Sequence, residues 1–343
     1  MKINIFAFGA SALLIASCTS QKSISSLKYP ETKKIDHVDD YFGTKVNDSY
    51  RWLEDDRADD TKDWVQREVA FTNDYLAKIP FREEIRAQLK DIWNYEKIGA
   101  PFKEGDFTYF YKNDGLQAQS VLYRTDHDGK TEVFLDPNKF SDKGTTSLAG
   151  VSFNKKGNLV AYSISEGGSD WNKIIILHAL TKTIIDETII DVKFSGASWK
   201  GNEGFFYSSY DKPKGSELSA KTDTHKVFFH KLGTKQSEDK MIIGGEDFKR
   251  RYMGIGVSDD ERFEVLSASE ATNGNELYLK DLKTKNDFIP VQKGYDFNTD
   301  FIDSKGDFIY AITDKDAPNM RLVKFDIKNP SVWMDVIPET ENV

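Results

Sequence analysis

Apolar and polar positions follow one another along most of the chain in a pattern that returns five times. Its clearest copy is Val151-Ser-Phe153-Asn-Lys-Lys-Gly157-Asn-Leu159-Val160-Ala161-Tyr162-Ser163, in which an apolar strand ends, a polar turn follows and a new apolar strand begins. The same order appears at 102–111, 199–207, 257–266 and 302–311. With the turns placed at Gly105, Gly157, Glu203, Glu261 and Gly306, successive copies lie 52, 46, 58 and 45 residues apart. Further short apolar runs fill the intervals, among them Val121-Leu-Tyr123, Val133-Phe-Leu135, Ile174-Ile-Ile-Leu177, Val227-Phe-Phe229 and Leu277-Tyr-Leu279. Four short strands per period of about 45–50 residues predict the blade of a β-propeller. A single four-stranded blade cannot bury both of its faces, so neighbours must stack around a shared axis. A β-sandwich also spaces its strands regularly, but here the repeating unit is four strands rather than two.

Residues 29–95 follow a different pattern. Between Thr61 and Ala77, Trp64, Glu68, Phe71 and Tyr75 fall on one helical side, and Phe81, Ile85, Leu89 and Ile92 repeat at helical spacing after Pro80. Two amphipathic helices joined by Lys78-Ile79 are expected, with Pro80 in the first turn of the second. The acidic cluster Asp55-Asp56 to Asp59-Asp60 lacks calcium-loop spacing and suits a solvated helix start. The apolar stripes of both helices must cover something, whether blades or another domain.

The first residues read as a targeting segment. Lys2 precedes the apolar run Ile3 to Ala16, which is shorter than the ~20 residues a membrane-spanning helix needs, so residues 1–17 have the shape of a secretory signal peptide. Leu14-Ile-Ala-Ser-Cys18 resembles the lipobox of bacterial lipoproteins, which implies acylation of Cys18 and a lipid-anchored tether over 18–28 in the cell envelope. Cys18 is the single cysteine of the chain, so no intrachain disulfide forms. A net charge of −9 and a pI near 5.3 argue against a nucleic-acid partner. Aromatic residues make up 13% of the chain, as a strand-rich core requires.

Candidate chemistry is sparse. No Gly-x-Ser-x-Gly nucleophile elbow occurs, and Gly196-Ala-Ser198-Trp-Lys lacks the closing glycine. Gly254-Ile-Gly256 lacks the third glycine of a dinucleotide turn. Of the five histidines, His37 lies among acids, His127 in a hairpin turn and His178 at a strand end. His225 and His230, five apart on a strand, project to opposite faces and make a poor metal pair. No catalytic residue, metal site or cofactor is expected from these motifs.

Several stretches together point to a family. Tyr29-Pro30, Asp39-Asp-Tyr41-Phe-Gly43-Thr-Lys-Val46-Asn-Asp48-Ser-Tyr50-Arg51-Trp52-Leu53-Glu54-Asp55, Phe134-Leu-Asp136-Pro137-Asn138, Ser169-Asp170-Trp171 and Val192-Lys-Phe194-Ser closely resemble the prolyl oligopeptidases, serine peptidases that cut short peptides after proline. The resemblance runs from Tyr29 to nearly the last residue. It implies an N-terminal segment, a seven-bladed propeller and a C-terminal α/β-hydrolase domain that carries the catalytic serine. Against that frame, the chain is expected to be mainly β. It would hold a short α-helical N-terminal segment (29–95) and about five of seven propeller blades (96–343), with the α/β-hydrolase domain absent and the chain inactive by itself. By the same resemblance, Phe194 and Met253 match apolar residues of a substrate-binding subsite for short peptides. Around Ala271-Thr272 the family often carries a cysteine, which this chain lacks. Two other readings stay open: a stand-alone five-bladed lipoprotein that binds peptides or a protein partner, and a related peptidase with preference for basic residues.

Overall fold

The computed structural model describes residues 27–212 and 222–341. The expected signal peptide and Cys18 lie outside the described residues. The chain divides into two compact units, one running to Leu53 and including Arg57–Pro80, the other comprising Glu54–Asp56 and Phe81 onward.

The first unit is built on helix α1 (Asp59–Ala77), whose first turn carries Asp59 and Asp60 where the helix dipole favours negative charge. The extended segment around residues 29–37 is tied to α1 by side chains. The Trp64 indole donates to Thr32 Oγ1 at 2.9 Å, Arg67 donates to the Glu31 carbonyl at 2.9 Å, and the Tyr29 ring lies 5.0 Å from Phe71. A hairpin of Val38–Tyr41 and Thr44–Asn47 turns at Phe42-Gly43, both with positive φ, as a two-residue turn of matching twist requires. Arg51, in the short 3-10 turn Arg51–Glu54, pairs with both Asp39 and Asp48.

In the second unit, helix α2 spans Arg82–Trp93. The first helical bond there runs from the Ile85 N–H to the Phe81 carbonyl, so Pro80 lies ahead of the helix rather than in its first turn. The remainder forms five antiparallel sheets of four principal strands among the described residues. Blade 1 comprises an inner edge split into Lys97–Ile98 and Phe102–Glu104, then Phe107–Asn113, Val121–Thr125 and Thr131–Leu135. Blade 2 comprises Thr146–Phe153, Leu159–Glu166, Trp171–His178 and an outer edge split into Thr183–Ile184 and Ile189–Lys193. Blade 3 holds Ser198–Lys200, Gly204–Ser209, Lys226–Lys231 and Lys240–Gly244. Blade 4 holds Tyr252–Val257, Phe263–Ser269, Glu276–Asp281 and Ile289–Gln292. Blade 5 holds Thr299–Lys305, Phe308–Thr313, Arg321–Asp326 and Met334–Ile337. The first strands of all five blades line one cavity of about 760 Å³, which fixes the radial arrangement and rules out a layered sandwich.

Residue parity explains the stacking. Successive side chains of a strand point to opposite faces, and a blade inside the stack buries both. In blade 3, Phe205 and Tyr207 pack on Leu159, Ile174 and Ile176 of blade 2, while Phe206 and Val227 pack on Met253, Ile255 and Leu266 of blade 4. The whole strand Gly204–Ser209 is consequently buried. Tyr109 and Leu122 of blade 1 meet Val160 and Leu177 of blade 2, and Phe263 and Leu279 of blade 4 meet Ile309, Val323 and Phe325 of blade 5. Each fully buried Phe or Leu contributes roughly 1.5–3 kcal/mol.

One bulge recurs in each blade. The pairing of the third strand with the outer strand slips after Leu122, Asn172, Val227, Leu277 and Leu322, in every case the second residue of the third strand. Such bulges increase local twist.

The inner hairpins differ. Those of blades 1 and 5 are two-residue turns opened by Gly105 (φ 56°) and Gly306 (φ 62°). Blades 2 and 4 share a longer turn, in which the Asn154 side chain accepts from Leu159 N–H and Ser258 Oγ accepts from Phe263 N–H. In blade 3 the left-handed residue is Gly201 (φ 53°), two residues before the position suggested by the repeat. The turns of blades 1 and 2 touch: a Cβ on Gly157 (φ 67°) would lie 2.2 Å from the Gly105 nitrogen. Gly157→Ala is therefore expected to destabilise by about 2–5 kcal/mol, left-handed strain and overpacking combined. Gly129→Ala, with φ 80° and open space around it, should cost only the strain of about 1–2 kcal/mol. Urea unfolding of the two variants tests this, and equal losses would remove the inter-blade contact as the cause.

Candidate functional site

The apolar cavity of the second unit lies at the opening ends of the first strands of blades 3, 4 and 5 and encloses about 540 Å³. Phe194 to Ser198 enter it from the connection between blades 2 and 3, Met253 to Val257 from the first strand of blade 4, and Thr299 to Phe301 from blade 5. Both residues singled out from sequence, Phe194 and Met253, thus line a single cavity. Ala271 and Thr272 do not line it and are exposed. Among its lining residues Asp300 alone carries a charge.

Phe194 is half-exposed and holds a φ of 52°, in the left-handed region that costs a bulky side chain energy. Asp191, three residues earlier, is left-handed too, with φ 56°. Neighbours impose this backbone. Ser209 Oγ donates to the Asp191 carbonyl, and Ser195 Oγ accepts the Ser208 N–H at 2.8 Å. The Phe194 ring stands edge-on to Tyr210 (6.3 Å, 88°) and Tyr252 (5.5 Å, 74°), and the Lys193 ammonium lies 5.2 Å above it. Burial, then the neighbouring Tyr252 and Asp223, push the Tyr210 phenol up to about 12.

Met253 is 3% exposed, with its peptide group held on both sides. Its carbonyl accepts from Ser208 Oγ at 2.8 Å and its N–H donates to His225 Nδ1 at 2.9 Å. The same imidazole reaches the Lys193 carbonyl through Nε2 at 3.0 Å. Burial lowers the His225 pKa, against the raising effect of the hydrogen bond to Lys193.

His230 projects to the other side, onto Phe205. Its Nδ1 lies 2.9 Å from Asp239 and its Nε2 3.4 Å from Asp186, with all three side chains buried. Asp239 also accepts from the Tyr207 hydroxyl at 2.8 Å. Burial alone would lower the His230 pKa, but the hydrogen bond and charge of Asp239, reinforced by Asp186, raise it. His127 is exposed in its turn, and His37 sits 3.2 Å from Asp39 in the first unit. Among the described residues, no group of three or more His, Cys, Asp or Glu is disposed to hold a metal ion.

Two other concavities differ in kind. The axial cavity is lined by Glu104, Asp259, Asp260, Glu261 and Asp303, and there burial and then Asp259 raise the Glu104 pKa. The exposed face of α2 forms a groove of about 420 Å³ from Ile85, Leu89, Trp93 and Leu116, rimmed by Arg82, Arg86 and Lys90.

Comparison with known proteins places this geometry. The family model described as prolyl oligopeptidase, N-terminal beta-propeller domain, matches residues 30–343. The chain belongs to the prolyl oligopeptidase family. It is 68% identical over 343 residues to a prolyl endopeptidase of Elizabethkingia meningoseptica, covering 99% of this chain and 48% of that protein. It is 67% identical to a prolyl endopeptidase of Elizabethkingia miricola, again covering 99% of this chain and 48% of the relative. The chain therefore spans about half the length of these curated relatives. Among solved structures, prolyl oligopeptidase B from Galerina marginata, bound to a 35-residue hydrolysis and macrocyclisation substrate, superposes with a TM-score of 0.77 at 26% identity, covering 91% of this chain and 48% of that one. The architecture of this family member is thus the mainly β propeller read from its repeat, with no catalytic domain within these 343 residues.

In the sequence His225 reads only as half of a poor metal pair, because both of its hydrogen-bond partners are backbone atoms, which no motif encodes. The two buried histidines lead to opposite pH effects on stability. His230, with its pKa raised above 6.5, contributes stability that is complete below 6.5 and is lost as pH rises through its folded value. His225, with its pKa lowered, contributes stability present above 6.5 and lost as pH falls toward its folded value. Urea midpoints measured across pH should lose their acid-side decline in His225→Gln and their alkaline-side decline in His230→Asn. Unchanged profiles in both variants would refute these assignments.

Proposed function

We propose that this chain is the propeller portion of a serine endopeptidase acting on short proline-containing peptides, with the Phe194–Met253 cavity receiving the part of the peptide N-terminal to the proline. The observation that carries the proposal is that these two residues, one in the connection from blade 2 to blade 3 and the other 59 positions on in the first strand of blade 4, line one largely apolar cavity. An aromatic ring and a thioether make an adaptable surface that accepts varied side chains without a fixed shape. The chain's own residues bind and orient the peptide. The bond-breaking step belongs to a C-terminal α/β-hydrolase domain, where a serine attacks the carbonyl of proline and a histidine carries its proton to the leaving amine. The propeller restricts that active site to short, flexible peptides.

The exposed faces fit this reading. Phe308 and Met334, on the side of blade 5 turned away from blade 4, remain 39% and 41% exposed, as does much of the apolar face of α2. These surfaces suit further blades and a packed domain better than a free five-bladed ring. The N-terminal pattern adds an envelope location, with signal cleavage and acylation of Cys18 anchoring the protein to a bacterial membrane.

Residues 19–343 should bind a short proline-containing peptide, measured by fluorescence anisotropy, while releasing no chromophore from a prolyl chromogenic substrate. Phe194→Ala should weaken binding roughly tenfold, the burial of about half an aromatic ring, while the volume-conserving Met253→Leu should change it little. Peptide binding indifferent to Phe194 would overturn the site, and turnover by purified chain would overturn the division of labour. Cys18→Ala should move the protein from the membrane to the soluble fraction and abolish labelling by radioactive palmitate.

A further inference from the structure

We propose that His225 is the positioning residue of the cavity, one neutral imidazole that holds the Phe194 connection and the Met253 strand at a fixed separation. The inference rests on the peptide-cavity reading for its effect on binding, and on geometry alone for the hydrogen bonds. His225 is 1% exposed and lies just before the third strand of blade 3, between the end of blade 2 and the start of blade 4. The Met253 N–H can only donate, so Nδ1 must be bare; the Lys193 carbonyl can only accept, so Nε2 must carry the proton. The two backbone partners therefore select one tautomer of one charge state. The lowered pKa keeps that state at neutral pH.

The ring also organises the aromatic wall. Tyr210 stacks on it at 4.5 Å and 26°, and Tyr252 meets it edge-on at 6.4 Å. These are the two tyrosines against which the Phe194 ring leans. Lys193, whose carbonyl His225 binds, sends its ammonium over Trp171 at 4.9 Å as well as over Phe194. Removing the imidazole frees both walls and leaves a buried donor and a buried acceptor unpaired. A left-handed Phe194 persists only while its surroundings over-determine it, and His225 supplies one of those restraints.

The test separates the two bonds. An Asn side chain can place an acceptor near the Nδ1 position, and a Gln side chain can place a donor near the Nε2 position. In residues 19–343 labelled at the methionine methyls and the tryptophan indoles, His225→Asn should shift the Trp171 indole signal and spare the Met253 methyl. His225→Gln should do the reverse, and His225→Phe should shift both. Each of the three should also weaken binding of a proline-containing peptide, with Phe the largest at about tenfold or more, as expected for buried hydrogen bonds left unmade. In the unmodified chain, ¹⁵N spectra of the ring should show a protonated Nε2 and an unprotonated Nδ1. A ring protonated on Nδ1, or a folded Phe variant with unmoved Met253 and Trp171 signals, would overturn the proposal. Should the Phe variant fail to fold, the Asn and Gln pair decides alone. If the unmodified chain binds no peptide while the spectra behave as described, the cavity reading fails and the positioning role stands.

Discussion

Every blade between two others must bury both of its faces, and from that constraint most of this molecule follows. A half-buried strand alternates apolar with polar, whereas a strand buried on both sides has no solvent face to advertise. Gly204-Phe205-Phe206-Tyr207-Ser208-Ser209 is the extreme case, with every residue buried and adjacent phenylalanines serving different neighbours. The stacking energy is cooperative in this sense: loss of one blade's side chains exposes half of two others. It also places close approaches where the inner turns meet, which is why Gly157 has no room for a Cβ beside Gly105.

The same stacking creates the cavity. Between blades the chain must cross from an outer edge back to the axis, and the crossing from blade 2 to blade 3 delivers Lys193 and Phe194 next to the first strand of blade 4. Its backbone is left-handed at Asp191 and at Phe194, a cost of order 1–3 kcal/mol for each residue. Blade 3 offsets it with the Ser208 N–H and with the side chains of Ser209 and His225, all aimed at that crossing. The strain is thus concentrated beside an apolar cavity and held from one side by hydrogen bonds.

The sequence displayed the blades well because their signal is repetitive and local: an apolar run, a turn residue and an apolar run, five times over. Gly105, Gly157, Glu261 and Gly306 fall at the left-handed turn positions that pattern assigned, and only in blade 3 did the turn residue shift, to Gly201. The helices were visible for the same reason, since the apolar residues of α1 and α2 recur at helical spacing. The bulge after the second residue of each third strand was not visible, because it depends on pairing between strands and leaves no local mark. Phe194 and Met253 came from resemblance to a family, and nothing in their own neighbours announced a shared cavity. His225 was hidden further still. Sequence treats a histidine as a candidate ligand or base, and here its two nitrogens are spent on main-chain groups.

That expenditure bears on what the cavity can do. Nucleophilic hydrolysis needs a hydroxyl within hydrogen-bond reach of an imidazole that can take its proton. Ser195, Ser198 and Ser208 all border the cavity. Yet Ser208 donates to the Met253 carbonyl and Ser195 to the Gly196 carbonyl, while Nδ1 of His225 already accepts the Met253 N–H. His230, the other buried histidine, faces Phe205 and two aspartates on the far side of the strand. An imidazole with both nitrogens engaged by backbone is fixed in place and cannot act as a base without breaking the contact that holds Met253. The imidazole of His225 and the hydroxyls of Ser195 and Ser208 are therefore engaged in fixing the walls of the cavity.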